Sequence, residues 1–382
     1  MDKLKRTVKE IAYAQDHRSL PALHRCLIPL LSIASSLYTL ALSLRHYLYR
    51  HSLFSPQRLP VVVISVGNLT WGGNGKTPMV EYIARCLADS GISPLILTRG
   101  YAGGDEAKML QRHLLGKPVN IGVGANRAAT AACFFKKYGY IDRGNAFLKR
   151  NSTEKIGAAI LDDGMQHWSL CRDLEVLMVN GLMQWGNCQL LPLGPLREPL
   201  MALRRADVAV VHHADLMSKQ NLEYIELMMR NVKESLPIYY TKMAPSHLFE
   251  VENINSRVPL GAVFGAVVLC VSAIGSASAF VERIEKMGAS YVDRLDFDDH
   301  HFFEAKDIEM IRSRLGELEE KFCSKPIVVV TEKDFDRDPE ILKHFDPFTV
   351  FALCSELQII PHNVCNEDSF KKLLKEILSV IS

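Results

Sequence analysis

Lys76 and Thr77 close a glycine-rich stretch, Thr70-Trp71-Gly72-Gly73-Asn74-Gly75-Lys76-Thr77, whose residue types suit a polyphosphate. A backbone turn through Gly72, Gly73 and Gly75 can aim successive N–H groups at phosphate oxygens, and the start of a following helix adds partial positive charge. Lys76 is then placed to neutralise β/γ oxygens, and the Thr77 hydroxyl to ligate Mg²⁺. Thr70 stands where the common eight-residue pattern has its first glycine. The flanks restore the assignment: residues 60–66 are β-branched like a buried parallel strand. Residues 78–87 open with Pro at a helix start and carry Met79, Val80, Ile83 and Leu87. Residues 70–77 are therefore expected to bind nucleotide.

Carboxylates and cations follow at intervals. Ile160-Leu161-Asp162-Asp163 is an apolar strand ending in two acids, an arrangement that holds Mg²⁺ or its waters opposite the loop threonine; the alternative is a helix cap. Gln166 and His167 come soon enough after to line the same cleft. Pro195-Leu196-Arg197-Glu198-Pro199 offers an arginine on a stiffened loop, suited to developing phosphoryl charge. Glu198 is expected at the metal site, the alternative being an Arg–Glu surface pair. Asp105, Glu106, Arg127 and the run Asp298-Asp299-His300-His301 add further acids, a cation and imidazoles. A hydroxyl acceptor needs a positioned base, and a carboxylate coupled to a histidine would supply one. Thr331-Glu332-Lys333-Asp334 invites comparison with the guanine-reading N-K-x-D pattern, but residue 335 is Phe, so the spacing fails. His212 and His213 are assigned to core or surface.

These residues need strand ends to sit on. Strand-like runs at 94–98, 157–161, 175–179 and 207–211 alternate with helical stretches, which predicts a mostly parallel α/β sheet flanked by helices. Ligands collect at the carboxyl ends of such strands. From about residue 236 a smaller α/β unit is expected, with strands at 266–271, 325–330 and 349–353 and a helix over 276–287. The expected organisation is a membrane-associating segment at 1–58, a phosphate-loop core at 59–235, the second unit at 236–362, and a helix at 363–382 packing back on the core. Residues 141–155 read as an inserted loop.

The 382 residues are 48% hydrophobic and 23% charged, ordinary for a folded enzyme, and the net charge of +2 gives no reason to expect a nucleic-acid partner. Nine scattered cysteines without a C-x-x-C pair argue against a disulfide framework and a structural zinc site. Residues 26–44 form an apolar stretch of bilayer-spanning length. At about 100° per residue, however, Arg25, Ser32, Ser35, Ser36, Thr39, Ser43, His46 and Arg50 fall in one arc beside a broad apolar face. This predicts an amphipathic helix lying in the headgroup region, with Arg45 and Tyr47 suited to snorkelling; a spanning anchor and a packed core helix are the alternatives. Residues 1–25 hold six Lys/Arg against three Asp/Glu, an imperfect transit-peptide composition.

Taken in order, GNLTWGGNGKTP (67–78), TRGYAGGDE (98–106), DDGMQH (162–167), NGLMQWGNCQLLPLGPLREP (180–199), FDDHHFF (297–303) and VVTEKD (329–334) resemble the tetraacyldisaccharide 4′-kinase family. The resemblance implies ATP- and Mg²⁺-dependent phosphorylation of the 4′-hydroxyl of a tetraacyldisaccharide 1-phosphate, a two-domain phosphate-loop fold and an N-terminal membrane-associating helix. It implies that Lys76 and Thr77 serve the nucleotide and metal, that Asp162, Asp163 and Glu198 form the metal site, and that Asp105 is the base paired with His300. Arg127, Arg197 and His167 match cleft residues. Met165 in place of an aromatic, Cys188 in place of a glycine, and a short path from Arg99-Gly100-Tyr101 to Asp105 depart from the bacterial pattern. The many cysteines, the altered loop and the long N-terminus look more like a plant branch, for which the resemblance implies a mitochondrial location; the alternative is the cytoplasmic face of a bacterial inner membrane. A membrane-bound GTPase or ATPase switch and a silent scaffold of the same fold are the competing functions.

Overall fold

The computed structural model describes residues 2–14, 16–100, 105–142, 155–299 and 301–379. Two helices, α1 (Asp2–Tyr13) and α2 (Ala22–Arg50), precede β1 (Val62–Asn68), α3 (Lys76–Asp89), β2 (Ser93–Thr98), α4 (Asp105–His113), β3 (Asn120–Val123) and α5 (Arg127–Tyr138). Next come β4 (Ile156–Asp162), β5 (Leu174–Asn180), β6 (Val208–His212), α6 (Lys219–Val232), β7 (Ile238–Glu250) and β8 (Asn253–Val258). The chain continues through β9 (Val267–Ser272), α7 (Ala277–Lys286), β10 (Tyr291–Asp296), α8 (Ala305–Phe322) and β11 (Ile327–Thr331). It ends with α9 (Glu332–Arg337), α10 (Pro339–Leu342), β12 (Val350–Ile360) and α11 (Glu367–Ser379). Two compact units result, one from Met1–Arg99, Leu114–Lys242 and Ile359–Ser382, the other from Gly100–His113 and Met243–Gln358.

In the first unit the strand order is β7-β6-β5-β1-β4-β2-β3, every neighbouring pair parallel. All seven residues of β1 are buried. A strand covered on both faces needs apolar side chains on both, which is why Val62-Val63-Ile64 shows no alternation. On one face Val63, Leu95, Leu97, Ala131 and Leu161 pack together over β1, β4 and β2, and Leu69, Met165, Leu177, Trp185 and Val211 continue the same face over β5 and β6. Register sets Val66 opposite Asp162, so the carboxyl ends of β1 and β4 finish together. The first sits before the glycine-rich loop and the second before the paired acids. On this unit α11 packs Phe370 edge-on against Tyr82 of α3 and Tyr239 of β7, with ring centroids 5.9 and 5.2 Å apart.

The second unit carries β10-β9-β11-β12 as parallel neighbours, with β8 antiparallel to β7. Successive residues of β9 serve opposite faces. Leu269 and Val271 join Ile311 and Leu315 of α8, while Val268 and Cys270 join Phe280 and Ile284 of α7. Within this unit α4 is tied to α9 by charge. Arg112 meets Asp336 through two bonds of 2.9 Å and Glu332 at 2.9 Å, and His113 meets Glu332 at 2.7 Å.

The expected α/β class and the N-terminal apolar helix are present. Segment 100–113 groups with 243–358, an excursion that no periodicity announces. Residues 1–58 group with the first unit, and Ile11 and Ala12 of α1 are fully buried. The inward seam of α2 docks on the first unit, where Ser35 donates to the Leu190 carbonyl at 3.0 Å and Tyr38 to the Arg197 carbonyl at 2.8 Å. Arg45 does not snorkel. It donates to the Gln166 carbonyl and lies over the Trp168 ring, 4.9 Å from its centroid. Leu37, Leu40 and Leu44 instead point away, at 63, 67 and 58% exposure. Most of the expected inserted loop, residues 143–154, lies outside the described residues.

Candidate active site

Turn geometry creates the loop between β1 and α3. Gly75 caps α3 at φ +76° and Gly72 sits at φ +94°, both left-handed conformations that favour glycine. A Cβ at Gly75 would come within 2.5 Å of the His212 ring. That imidazole is buried at the end of β6 and bonds Thr241 at 3.1 Å. His212, assigned from the sequence to core or surface, is thus a wall of the loop. The loop carbonyls are occupied by side chains. Asn74 donates to Gly72 O at 2.8 Å, Asn180 to Gly73 O at 2.7 Å, and Asn68 to Thr70 O. Lys76 and Thr77 open α3 directly after this loop.

Asp163 follows β4 at φ +51°, a strained conformation that acids tolerate better than most residues. The turn delivers its carboxylate to two cations. Lys76 Nζ lies 3.6 Å from it, and Arg197 Nη1 bonds both oxygens at 2.7 and 2.8 Å. Burial pushes the Asp163 carboxyl up, but Lys76 and Arg197 outweigh it and hold the group down at about 2. Asp162 is buried, and its carbonyl accepts from Arg127, itself buried at the start of α5. Gln166 bridges the cluster, donating to Asn68 O at 2.9 Å and accepting from Arg197 at 3.4 Å. His167 is pushed down to about 4 by burial and then by Arg127 and Arg172. It is therefore a neutral imidazole near neutral pH, and bonds Ser169 at 3.0 Å.

Thus the structure brings Lys76, Asp163, Arg197 and Gln166 into one cluster, with Arg127 and Asp162 behind it. Glu198 is held by Arg205, which donates to both its oxygens at 2.7 and 2.9 Å, and His46 of α2 lies 4.0 Å away. A metal role for Glu198 would require releasing it from Arg205. Asp105 opens α4, but its side chain lies outside the described residues, as does His300. The neighbouring His301 bonds Asp307 at 2.8 Å, at the start of α8. Sequence reasoning missed Tyr13, Trp168 and Asn187. Trp168 takes Arg45 on its ring at 4.9 Å, Arg205 at 4.8 Å and the His46 edge at 4.3 Å. Its place directly after His167 was the one available signal.

Residues 27–104 and 102–378 match the family model of tetraacyldisaccharide-1-P 4′-kinase, LpxK. An Arabidopsis thaliana protein named probable tetraacyldisaccharide 4′-kinase, mitochondrial, is 62% identical over 99% of this chain and 98% of its own. A Halothermothrix orenii tetraacyldisaccharide 4′-kinase is 32% identical over 83% of this chain and 85% of its own. A crystal structure of Aquifex aeolicus LpxK in complex with ATP shares the fold, with a TM-score of 0.61 at 24% identity, covering 92% of this chain and 98% of that one. With a family model spanning nearly its whole length and a relative so similar end to end, this chain belongs to the tetraacyldisaccharide-1-P 4′-kinase family.

Proposed function

We propose that this protein is an ATP-dependent lipid kinase that phosphorylates the 4′-hydroxyl of a tetraacyldisaccharide 1-phosphate, the lipid A step for which its relatives are named. The observation that carries this reading is the convergence of Lys76, from the glycine-rich loop, and Arg197 on one carboxylate, Asp163. A transferring phosphoryl group spreads charge over its oxygens, and catalysis is mainly positioning and charge stabilisation. On this reading Lys76 and Arg197 would stabilise that charge. A polyphosphate seated on the N–H groups of residues 72–77 would compete with Asp163 for both of them.

The donor set fits Mg²⁺: Asp162, Asp163 and the Thr77 hydroxyl are hard oxygen ligands, and Mg²⁺ ordinarily takes few protein ligands beside phosphate and water. These three residues would hold it, and bound there it would neutralise phosphate oxygens. Asp163 stays ionised down to about 2, so its oxygens are donors throughout the working range. Asp105 is the candidate base with His300 as its partner, carried by residue match to the family. His167, neutral above about 4, offers a hydrogen bond rather than a charge.

Membrane contact goes through α2. Its docked seam runs from His24, 3.6 Å from Glu10, to Tyr49, whose ring meets Trp168 at 5.4 Å. That is about 38 Å of helix against a hydrocarbon core of about 30 Å. Spanning would draw the bonded carbonyls of Leu190, Arg197 and Gln166 into lipid; lying along the surface presents Leu37, Leu40 and Leu44 to it. We place the enzyme on a membrane surface, in mitochondria as its Arabidopsis relative is named. Phosphate transfer from labelled ATP to the lipid acceptor in mixed micelles tests the activity. Loss of transfer in Lys76→Ala is expected, and undiminished transfer in that variant would refute the site.

A further inference from the structure

A loop can present its amide N–H groups to phosphate only if its carbonyls are held the other way. Three of those carbonyls are taken by asparagines of the loop and of β1 and β5, as described above. The fourth, Trp71 O, receives the phenol of Tyr13 at 3.2 Å, with Asn74 Nδ2 more distant at 3.5 Å. The same phenolic oxygen is the nearest atom to the open side of Gly72, 3.9 Å from where a Cβ would stand. Tyr13 is the last residue of α1, from the stretch whose composition reads as transit-like.

That helix is fixed where it ends. The Asn187 amide donates to Ala12 O at 3.0 Å, and the Asn187 side chain to Ile11 O at 3.3 Å and Leu193 O at 2.9 Å. Trp71 N donates in turn to Pro195 O at 3.0 Å, two residues before Arg197. Trp71 is thus braced on its carbonyl by α1 and on its amide by the 187–197 segment, and Asn187 ties the two braces together. Burial pushes the Tyr13 hydroxyl well above its ordinary range, so it remains a neutral donor.

We propose that Tyr13 is a positioning residue for the phosphate loop, and that α1 is thereby a working part of the nucleotide site. The proposal rests on reading residues 70–77 as an ATP site. Tyr13→Phe keeps the ring and removes one bond, and a chain processed downstream of Tyr13 would lose the strut entirely.

The test is steady-state kinetics of the full chain and its Tyr13→Phe variant, with melting temperature and binding of a non-hydrolysable fluorescent ATP analogue measured alongside. An increase of about five-fold in KM for ATP and in analogue Kd is expected, the size of one hydrogen bond. KM for the lipid acceptor and vesicle binding should stay unchanged. A chain lacking residues 1–14 should lose more of its ATP affinity while still sedimenting with vesicles. Unaltered ATP parameters in both variants, with normal analogue binding by the unaltered chain, would overturn the role of Tyr13 alone. Failure of the unaltered chain to bind the analogue would overturn the ATP reading and the proposal together.

Discussion

Asp163 shows how one residue concentrates the chemistry. Its left-handed backbone turns the carboxylate toward Lys76 and Arg197, and their charge keeps it ionised to about 2. Replacing Lys76 by Ala should lower turnover by about 10²-fold or more, the scale for losing one preorganised charge. The folded protein should survive that change, because Arg197 still pairs with Asp163; circular dichroism and melting temperature check this against the rate. Acid sensitivity follows from the same groups. Asp163 is depressed to about 2 and His167 to about 4, so the unfolded chain binds more protons than the folded one between each of those values and its ordinary pKa. Stability therefore rises with pH in both windows, 2 to 3.8 and 4 to 6.5. Melting temperature should fall as pH is lowered from 7 to 4, and fall less in His167→Gln. An identical pH slope in that variant would show that His167 does not contribute.

Elements hold these residues by contacts that differ in how visible they are beforehand. The glycines before Lys76 and Thr77 and the apolar run before Asp162 announce themselves because the chemistry is local: a strand, a turn and a charged end in sequence. His212 against Gly75 and Tyr13 on Trp71 arise only when separate segments fold together, so the sequence assigned His212 to core or surface without showing that, buried, it walls the loop. The strands β8 and β10 escaped for another reason. NINSRV and YVDRLD are polar and partly exposed, with no buried face to write a pattern. The clamp on α4, the helix that begins at Asp105, is likewise long-range. Burial raises the Glu332 carboxyl, yet His113 and Arg112 hold it at about 2. Glu332→Ala should cost about 3 kcal/mol, the lower end for stripping one partner from a buried ion pair; Asp336 still engages Arg112. Urea unfolding measures it, and a loss below about 1 kcal/mol, the range of an exposed pair, would contradict the clamp.

At the scale of the whole molecule, α2 is the proposed link between a lipid surface and the candidate site. Its inner seam holds the Arg197 and Gln166 carbonyls while Leu37, Leu40 and Leu44 stand exposed on its outer face. Exchanging those three leucines for Gln should reduce co-sedimentation with vesicles and leave the melting temperature nearly unchanged, since the replaced side chains are more than half exposed. Retained vesicle binding would place membrane contact elsewhere. The central claim is phosphoryl transfer from this loop to a lipid hydroxyl, and its most direct test is labelled γ-phosphate transfer from ATP to tetraacyldisaccharide 1-phosphate in mixed micelles. Wild type, Lys76→Ala and Asp105→Ala should be compared side by side. Labelled lipid from wild type, with about 10²-fold less or lower from either variant, is the expected result; wild type that labels no lipid would contradict the account.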